Sequence, residues 1–284
     1  MSSPAVDDII ARALAEDAPW GDITSEAFLP ASARARARLV ARELGILSGI
    51  DVFARVFELV DPEVTVELLG SDGTAFVSGD HLASVEGSAH SVLRAERIAL
   101  NLSQRMSGIA TLTAAYVAAV EGTRARVVDT RKTTPGLRVL ERQAVRDGGG
   151  HNHRFSLSDA VLAKDNHLAV LAAAGVDLGE AVGLARRRIG HTTHLEVEVD
   201  RIDQIEPVVS AGVDTIMLDN FSLADLRDGV RLVAGRALVE ASGGVTLDTI
   251  SAIAATGVDV ISVGALTHSV RALDLGLDVE VVAG

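Results

Sequence analysis

The sequence predicts an α/β chain in which an incomplete C-terminal (β/α) barrel follows a smaller N-terminal α+β open-sandwich domain. Three observations carry this. From about residue 124 onward, short β-branched runs alternate with amphipathic helical stretches, the pattern of parallel strands joined by right-handed crossovers. Each run ends in a polar cluster, as barrel strands do where their C-terminal ends build a site. The first 108 residues lack this alternation and read as short antiparallel strands around helices.

In chain order, an amphipathic helix is expected over about 5–16, then a turn-rich stretch, APWGDITSEAFLP (18–30). The segments ARARLVAREL (35–44) and VTVELL (64–69) alternate as strands around a helix at about 49–60. GTAFVSGDHLASVEG (73–87) adds two short strands about a Gly-Asp turn. A long helical region, 88–122, leads into the barrel, with a break expected at Ser107-Gly108. The barrel strands are RVVDTRK (126–132), AVLAKDN (160–166), HLEVEVD (194–200), DTIMLDN (214–220), ALVEASGG (237–244) and DVISVGA (259–265). Helices are expected over 137–148, 181–190, 201–212, 222–235 and 247–257, several closing on glycine. No G-x-G-x-x-G opens a helix after the first strand, so the dinucleotide-binding fingerprint is missing. Domain boundaries follow: 1–108 for the front domain, joined by the C-terminal segment 271–284, and 109–270 for the barrel. That barrel segment is well short of the roughly 250 residues of a complete eight-stranded one, hence the expectation of a reduced barrel.

Composition excludes several function classes. A formal net charge of −13 disfavours nucleic-acid or anionic-membrane binding. The chain has no cysteine, which removes disulfides, thiolate nucleophiles and cysteine metal sites. The N-terminal stretch has neither a basic region nor an apolar core of the secretory type, and no apolar run approaches the roughly 20 residues of a membrane span; a cytoplasmic location is expected. One bias does more. Lys132 and Lys164 are the only lysines among 26 basic residues, and asparagine occurs only at 101, 152, 166 and 220. Both residue types have A-rich codons, so a GC-rich genome would use arginine wherever any cation serves. The surviving lysines then mark positions that need a compact ammonium.

The candidate site grows from these strand ends. DTRKTTPGLR places Thr130, Arg131 and Lys132 after the first barrel strand. GGGHNHR adds His151, His153 and Arg154, and LAKDN adds Lys164. Guanidinium forks and ammonium groups at adjacent strand ends suit a small, multiply anionic ligand. Glu196, Glu198, Asp200 and Asp219 follow on later strands; carboxylates facing such a pocket can hold Mg²⁺, bind sugar hydroxyls or stabilise a developing oxocarbenium ion. The small residues of Ser242-Gly243-Gly244 and Val263-Gly264-Ala265 let backbone N–H groups approach a phosphate, at the last two strands where barrels commonly hold one. The residues describe an enzyme that joins a small polyanionic acid to a phosphorylated sugar.

The stretches ERIALN, DTRKTTPGLR, GGGHNHRFSLSDAVLAKDNH, EVEVD, IMLDNF, EASGGV and VDVISVGALTHSVRALD resemble, in order, the quinolinate phosphoribosyltransferase family, also called carboxylating nicotinate-nucleotide pyrophosphorylase. The resemblance implies a reaction of quinolinate with phosphoribosyl pyrophosphate (PRPP) and Mg²⁺, giving nicotinate mononucleotide, pyrophosphate and CO₂ without an organic cofactor. It implies that Arg131, His153, Arg154 and Lys164, with Thr130, hold quinolinate, and that Lys132 lies beside them toward PRPP. Arg97 of ERIALN is implied to reach the pocket from a neighbouring subunit, in a homodimer or a hexamer built from dimers. Glu198 and Asp219 are implied to face the ribose and its Mg²⁺, although a two-residue slip toward Glu196 stays open. Ser242, Gly243, Gly244, Val263, Gly264 and Ala265 are implied to cradle the 5′-phosphate, with His268 close by; His151 has no implied role. The alternatives are a sister phosphoribosyltransferase with another acceptor, an aldolase-type barrel using Lys132 or Lys164 as a Schiff-base nucleophile, and a metabolite-binding protein without turnover.

Overall fold

The computed structural model describes residues 3–282. Along the chain run α1 (Pro4–Asp17), α2 (Ile23–Phe28), β1 (Arg34–Ala41), β2 (Gly45–Ile46), α3 (Ile50–Val60), β3 (Thr65–Leu68), β4 (Ala75–Phe76), β5 (His81–Ser88) and α4 (Ala89–Ala119). Then come β6 (Arg126–Val128), α5 (Arg138–Asp147), β7 (Val161–Ala163), α6 (Asp165–Ala173), α7 (Leu178–Arg188), β8 (Leu195–Val199), a 3-10 turn at Ile202–Gln204 and α8 (Ile205–Ser210). The order closes with β9 (Thr215–Asp219), α9 (Leu223–Val233), β10 (Leu238–Ser242), α10 (Leu247–Ala254), β11 (Val260–Ser262), α11 (Ala265–His268) and β12 (Leu275–Val282). Two compact units result: residues 1–114, 133–149 and 266–284 form one, and 115–132 with 150–265 the other. No single described helix is long and apolar enough to cross a membrane.

In the first unit, an antiparallel sheet has the order β12-β1-β5-β3. β1 shows why it forms: Ala35, Ala37 and Leu39 are buried while Arg34, Arg36 and Arg38 face water, the two-residue period of a half-buried strand. It is central because β5 and the C-terminal β12 pair with its two edges, Leu39 facing Ala83 on one side and Leu277 on the other. α3 lays Ile50, Phe53, Val56 and Phe57 into the core, with the two phenyl rings 5.0 Å apart. α1 starts on a Ser3 cap with Pro4 in its first turn, where the missing proline N–H costs nothing. α2, in a stretch expected only as turns, forms because Asp22 accepts from the N–H groups of Thr24 and Ser25; six residues are too few to display a helical apolar period.

The expected break at Ser107-Gly108 is not there: α4 runs unbroken for 31 residues. Gly108 serves close approach instead, since a Cβ at that position would lie 2.1 Å from the carbonyl oxygen of Arg271. Gly→Ala inside a helix ordinarily stabilises by about 1 kcal/mol. Here Gly108→Ala is expected to destabilise by about 1–3 kcal/mol, the usual range for overpacking, read as a lower urea midpoint.

Asp72 of this unit accepts a hydrogen bond from the Ile50 N–H (2.9 Å) at the start of α3, where the N-cap residue is glycine and has no side chain to offer. Burial, aided by the charges of Asp147 and Asp51, raises its pKa from 3.8 to about 6 against the pull of that N–H. The fold thus favours the protonated form, whose contribution is complete below pH 3.8 and is lost as pH rises through about 6. Asp72→Asn is expected to raise Tm relative to wild type at pH 7 and to confer no such gain at pH 4, as thermal scans at both pH values will show.

The second unit is built on a six-stranded parallel sheet of order β6-β11-β10-β9-β8-β7. That is sequential barrel order, opened between β6 and β7, and it matches the incomplete barrel expected from sequence. A parallel bridge from Val128 to His151 extends the β6 edge. Leu195, Val197, Ile216, Leu218, Val239 and Ala241 are buried on one face. Gly229 of α9 sits over Leu218, where an added Cβ would come within 2.7 Å of Leu218 Cδ1. The alternate positions point to the other face: Leu162, Glu196, Glu198, Met217, Asp219, Glu240 and Ser242. Register places Glu240 beside Met217 and Ser242 beside Asp219. α6 was not expected from sequence, because LAVLAA is apolar all round and shows no helical stripe; none of its residues is buried.

Candidate active site

A cavity of about 400 Å³ opens at the C-terminal ends of the parallel strands, entirely within the second unit. Its cationic side is made by Arg131 and Lys132 after β6, His153 and Arg154 from the loop before β7, and Lys164 after β7, with Thr130 also in the lining. Its acidic side holds Glu198 of β8, Asp219 of β9 and Glu240 of β10. Leu162, Met217, Ser242 and Ser262 complete the lining. Strands of a parallel barrel all point their ends the same way, so residues up to 132 positions apart in sequence meet here.

The loop carrying His153 is tied down by Asp129, a residue that is fully buried. Its carboxylate accepts from Asn152 Nδ2 (2.6 Å) and from the His153 main-chain N–H (2.7 Å), and its own N–H donates to the His151 carbonyl. Asn152 is one of the four rare asparagines, and this contact needs an amide donor. Thr130 Oγ1 accepts the Lys132 N–H (3.1 Å), a local turn that sets the direction of the next two side chains. Arg154 Nη1 donates to the Ala160 carbonyl (2.9 Å). Burial first, and then the adjacent Arg131 charge, lower the Arg154 pKa. Two guanidinium groups forced together in this way favour an anion between them.

Lys164 Nζ is hydrogen-bonded to Glu198, so the second rare lysine meets the acidic side directly. The two candidate glutamates on β8 separate here. Glu198 lines the cavity, whereas Glu196 lies one pleat lower and meets His153 Nε2 at 3.2 Å. Asp200 is exposed and interacts with Arg201. Asp219 accepts from Asn220 Nδ2 (2.7 Å). Asn220 adopts φ 57°, a left-handed conformation that asparagine tolerates well. Gly243 follows at φ 92°, and an added Cβ there would stand 2.2 Å from Asn220 Oδ1; the turn after β10 therefore requires glycine.

Of the residues expected in the phosphate cradle, Ser242 lines the cavity. Gly243 and Gly244 continue directly from it, and Val263, Gly264 and Ala265 continue from the lining residue Ser262. His268 stands exposed at the end of α11 in the first unit, as does Arg97 on α4; neither is among the lining residues. Asp129, Glu240, Met217 and Ser262 had no expected role. A run such as ALVEASGG does contain the signal, an acid at a position whose neighbours are apolar on both sides.

Family models describe the chain in two consecutive parts. Residues 22–107 match the quinolinate phosphoribosyl transferase N-terminal domain, and 109–278 match the C-terminal domain of the same family. The probable nicotinate-nucleotide pyrophosphorylase [carboxylating] of Bacillus subtilis (strain 168) is 42% identical over 93% of this chain and 90% of its own length. The corresponding protein of Mycobacterium leprae (strain TN) is 44% identical over 96% and 97%. The crystal structure of NadC from Streptococcus pyogenes superposes with a TM-score of 0.94 at 42% identity, covering 100% of this chain and 99% of that one.

Proposed function

The chain belongs to the quinolinate phosphoribosyl transferase family, and from that premise we infer its reaction. It transfers the phosphoribosyl group of PRPP to quinolinate with loss of CO₂, giving nicotinate mononucleotide and pyrophosphate for NAD biosynthesis. The observation that carries this reading is the cavity itself, with Arg131, Lys132, His153, Arg154, Lys164 and Thr130 on one side and Glu198 and Asp219 on the other.

We assign Arg131, His153 and Arg154 to the two carboxylates of quinolinate, with Lys164 and Thr130 at its edge. Guanidinium forks pair with carboxylates bidentately, and the acid is thereby oriented with its ring nitrogen toward the ribose. Lys132 faces the boundary between acid and PRPP, where a compact ammonium neutralises charge from both. As pyrophosphate leaves, positive charge develops at the ribose carbon, and Glu198 and Asp219 stabilise it electrostatically. The ring nitrogen attacks, becomes quaternary and draws electrons from the adjacent carbon; that carbon loses CO₂, and the electron pair left on it takes up a proton from solvent to give the C–H of the product. Backbone N–H groups of Ser242-Gly243-Gly244 and Val263-Gly264-Ala265 are assigned to the 5′-phosphate.

Mg²⁺ dependence belongs to this proposal. Glu198 and Asp219 offer hard carboxylate oxygens, the donors Mg²⁺ takes alongside substrate phosphates, and would hold an ion that supplies charge neutralisation for pyrophosphate. No organic cofactor is required by this chemistry. A cytoplasmic location and a homodimer, or a hexamer of dimers, complete the proposal, with Arg97 supplied to the partner's pocket and His268 placed near the phosphate. An Arg97→Ala protein mixed with an Arg131→Ala protein is expected to recover up to about a quarter of wild-type sites once subunits exchange randomly. No recovery after demonstrated exchange refutes the shared pocket. The reaction itself is tested by offering PRPP with quinolinate or with nicotinate and following pyrophosphate release. Release is expected with quinolinate; release with nicotinate alone overturns the assignment.

A further inference from the structure

The turn that leaves β9 is built on Asn220. Among the described residues, Asn220 and Ala234 are the two non-glycine positions with positive φ. Ala234 closes α9, whereas Asn220 directly follows Asp219, the last residue of its strand. The Asn220 N–H donates to the Ser242 carbonyl (2.9 Å), which ties the end of β9 to the end of β10. Its side-chain Nδ2 donates to Asp219 Oδ2 at 2.7 Å. Gly243 leaves this amide its room, since a Cβ there would stand 2.2 Å from Asn220 Oδ1 and 2.6 Å from Cγ. The amide is thus bonded to Asp219 and packed on a main chain without a side chain. Asparagine occurs only four times in the chain, and Asn152 makes the same kind of contact, Nδ2 to Asp129 at 2.6 Å. Both amides donate to a carboxylate at or just past the end of a barrel strand.

We propose that Asn220 is a positioning residue: its amide fixes the rotation of the Asp219 carboxylate at the cavity wall and leaves the charge of that carboxylate undiminished. The last side-chain torsion of aspartate is broad when nothing holds it, so an unheld Asp219 would spread its charge over many directions. A carboxylate that stabilises a cationic ribose acts by preorganisation, with its oxygen already standing where positive charge develops. A cationic neighbour would orient the group as well, but would neutralise it in doing so; Lys164 stands in that relation to Glu198. A neutral amide orients without neutralising, and asparagine is a short amide that also tolerates the left-handed backbone of this turn. Asn220 is exposed. Water competes for its hydrogen bond there, so the contact adds little to stability, and its effect falls on the direction of Asp219.

The purpose of the contact rests on the phosphoribosyl transfer proposed above, so one arm of the test uses no substrate. In crystals of the substrate-free full chain, wild type is expected to hold Asp219 in a single orientation bonded to Asn220, and Asn220→Gly to show it spread over several. Glycine keeps the positive φ without steric cost and removes only the amide, so Tm is expected to stay within about 2 °C of wild type. With quinolinate and PRPP saturating, kcat of Asn220→Gly is expected to fall about tenfold, the scale on which hydrogen-bonded partners of functional carboxylates act, with KM for quinolinate within about twofold. Asn220→Asp separates orientation from charge. It keeps the shape and adds a second carboxylate beside Asp219, so a site governed by charge alone would turn over at least as fast as wild type. Loss of the donor is expected instead to lower kcat by at least as much as glycine does. Wild-type kcat in either variant overturns the proposal, as does an Asp219 side chain equally ordered in wild type and Asn220→Gly. Failure of wild type to turn over quinolinate would overturn the reaction instead, and the ordering of Asp219 then decides the positioning by itself.

Discussion

Lys132→Arg lowers kcat by about 100-fold or more, the loss seen when one preorganised charge is removed from a developing anion, while Tm stays within a degree or two of wild type. The side chain is exposed and lines the cavity, so the larger guanidinium has room and the fold does not depend on it. What changes is the charge distribution. An ammonium concentrates its charge on one nitrogen that rotates to either substrate, whereas guanidinium spreads it over a rigid plane. In a chain that otherwise uses arginine for its cations, with Lys164 the one further exception, the retained lysine is expected to be intolerant of this exchange. Steady-state kinetics with both substrates saturating, paired with thermal scans, measures the two quantities together. Near-normal turnover would show that the scarcity of lysine reflects nothing chemical at this position.

Asp129→Asn is expected to damage both the acid end of the site and the fold. The substitution keeps shape and removes charge, yet the new amide cannot accept from both Asn152 Nδ2 and the His153 N–H. One of its donors must then face another donor inside a buried site. Losing one partner of such a buried, charged hydrogen-bond set costs about 2–5 kcal/mol, or a Tm drop on the order of 5–15 °C for a chain of this size. The loop bearing His153 and Arg154 loosens, so KM for quinolinate rises by more than tenfold, whereas KM for PRPP changes little. Equal rises in both values would mean that Asp129 supports the whole barrel mouth rather than its acid end.

The barrel strands were legible because each is a β-branched run closed by polar residues, and that signal is local. TRK, KDN, LDN and SGG all lie where the reading of strand ends put them. α6 was hidden because an apolar stretch without a stripe has no helical period. Gly108 misled because glycine in a helix reads as a break, when a neighbouring carbonyl oxygen 2.1 Å from its absent Cβ is the actual reason for it. The exposed parts of the site were easier to see than its supports. Arg131, Lys132 and Arg154 are conspicuous cations in an acidic chain. Glu196 and Glu240 are acids within strands and Asp129 directly follows one, and their partners are 43, 87 and 23 positions away along the sequence. Only the parallel register brings them together, so no local pattern announces them.

The central claim is that one cavity orients quinolinate for ribosyl transfer and carries it through to loss of CO₂. The most direct measurement uses quinolinate labelled in the carboxyl group next to the ring nitrogen, incubated with PRPP, Mg²⁺ and the purified protein. Labelled CO₂ and nicotinate mononucleotide are expected to accumulate in equal amounts from the first turnover onward, with one pyrophosphate for each. Pyrophosphate and a nucleotide that retains the label, or CO₂ released without nucleotide, would contradict it.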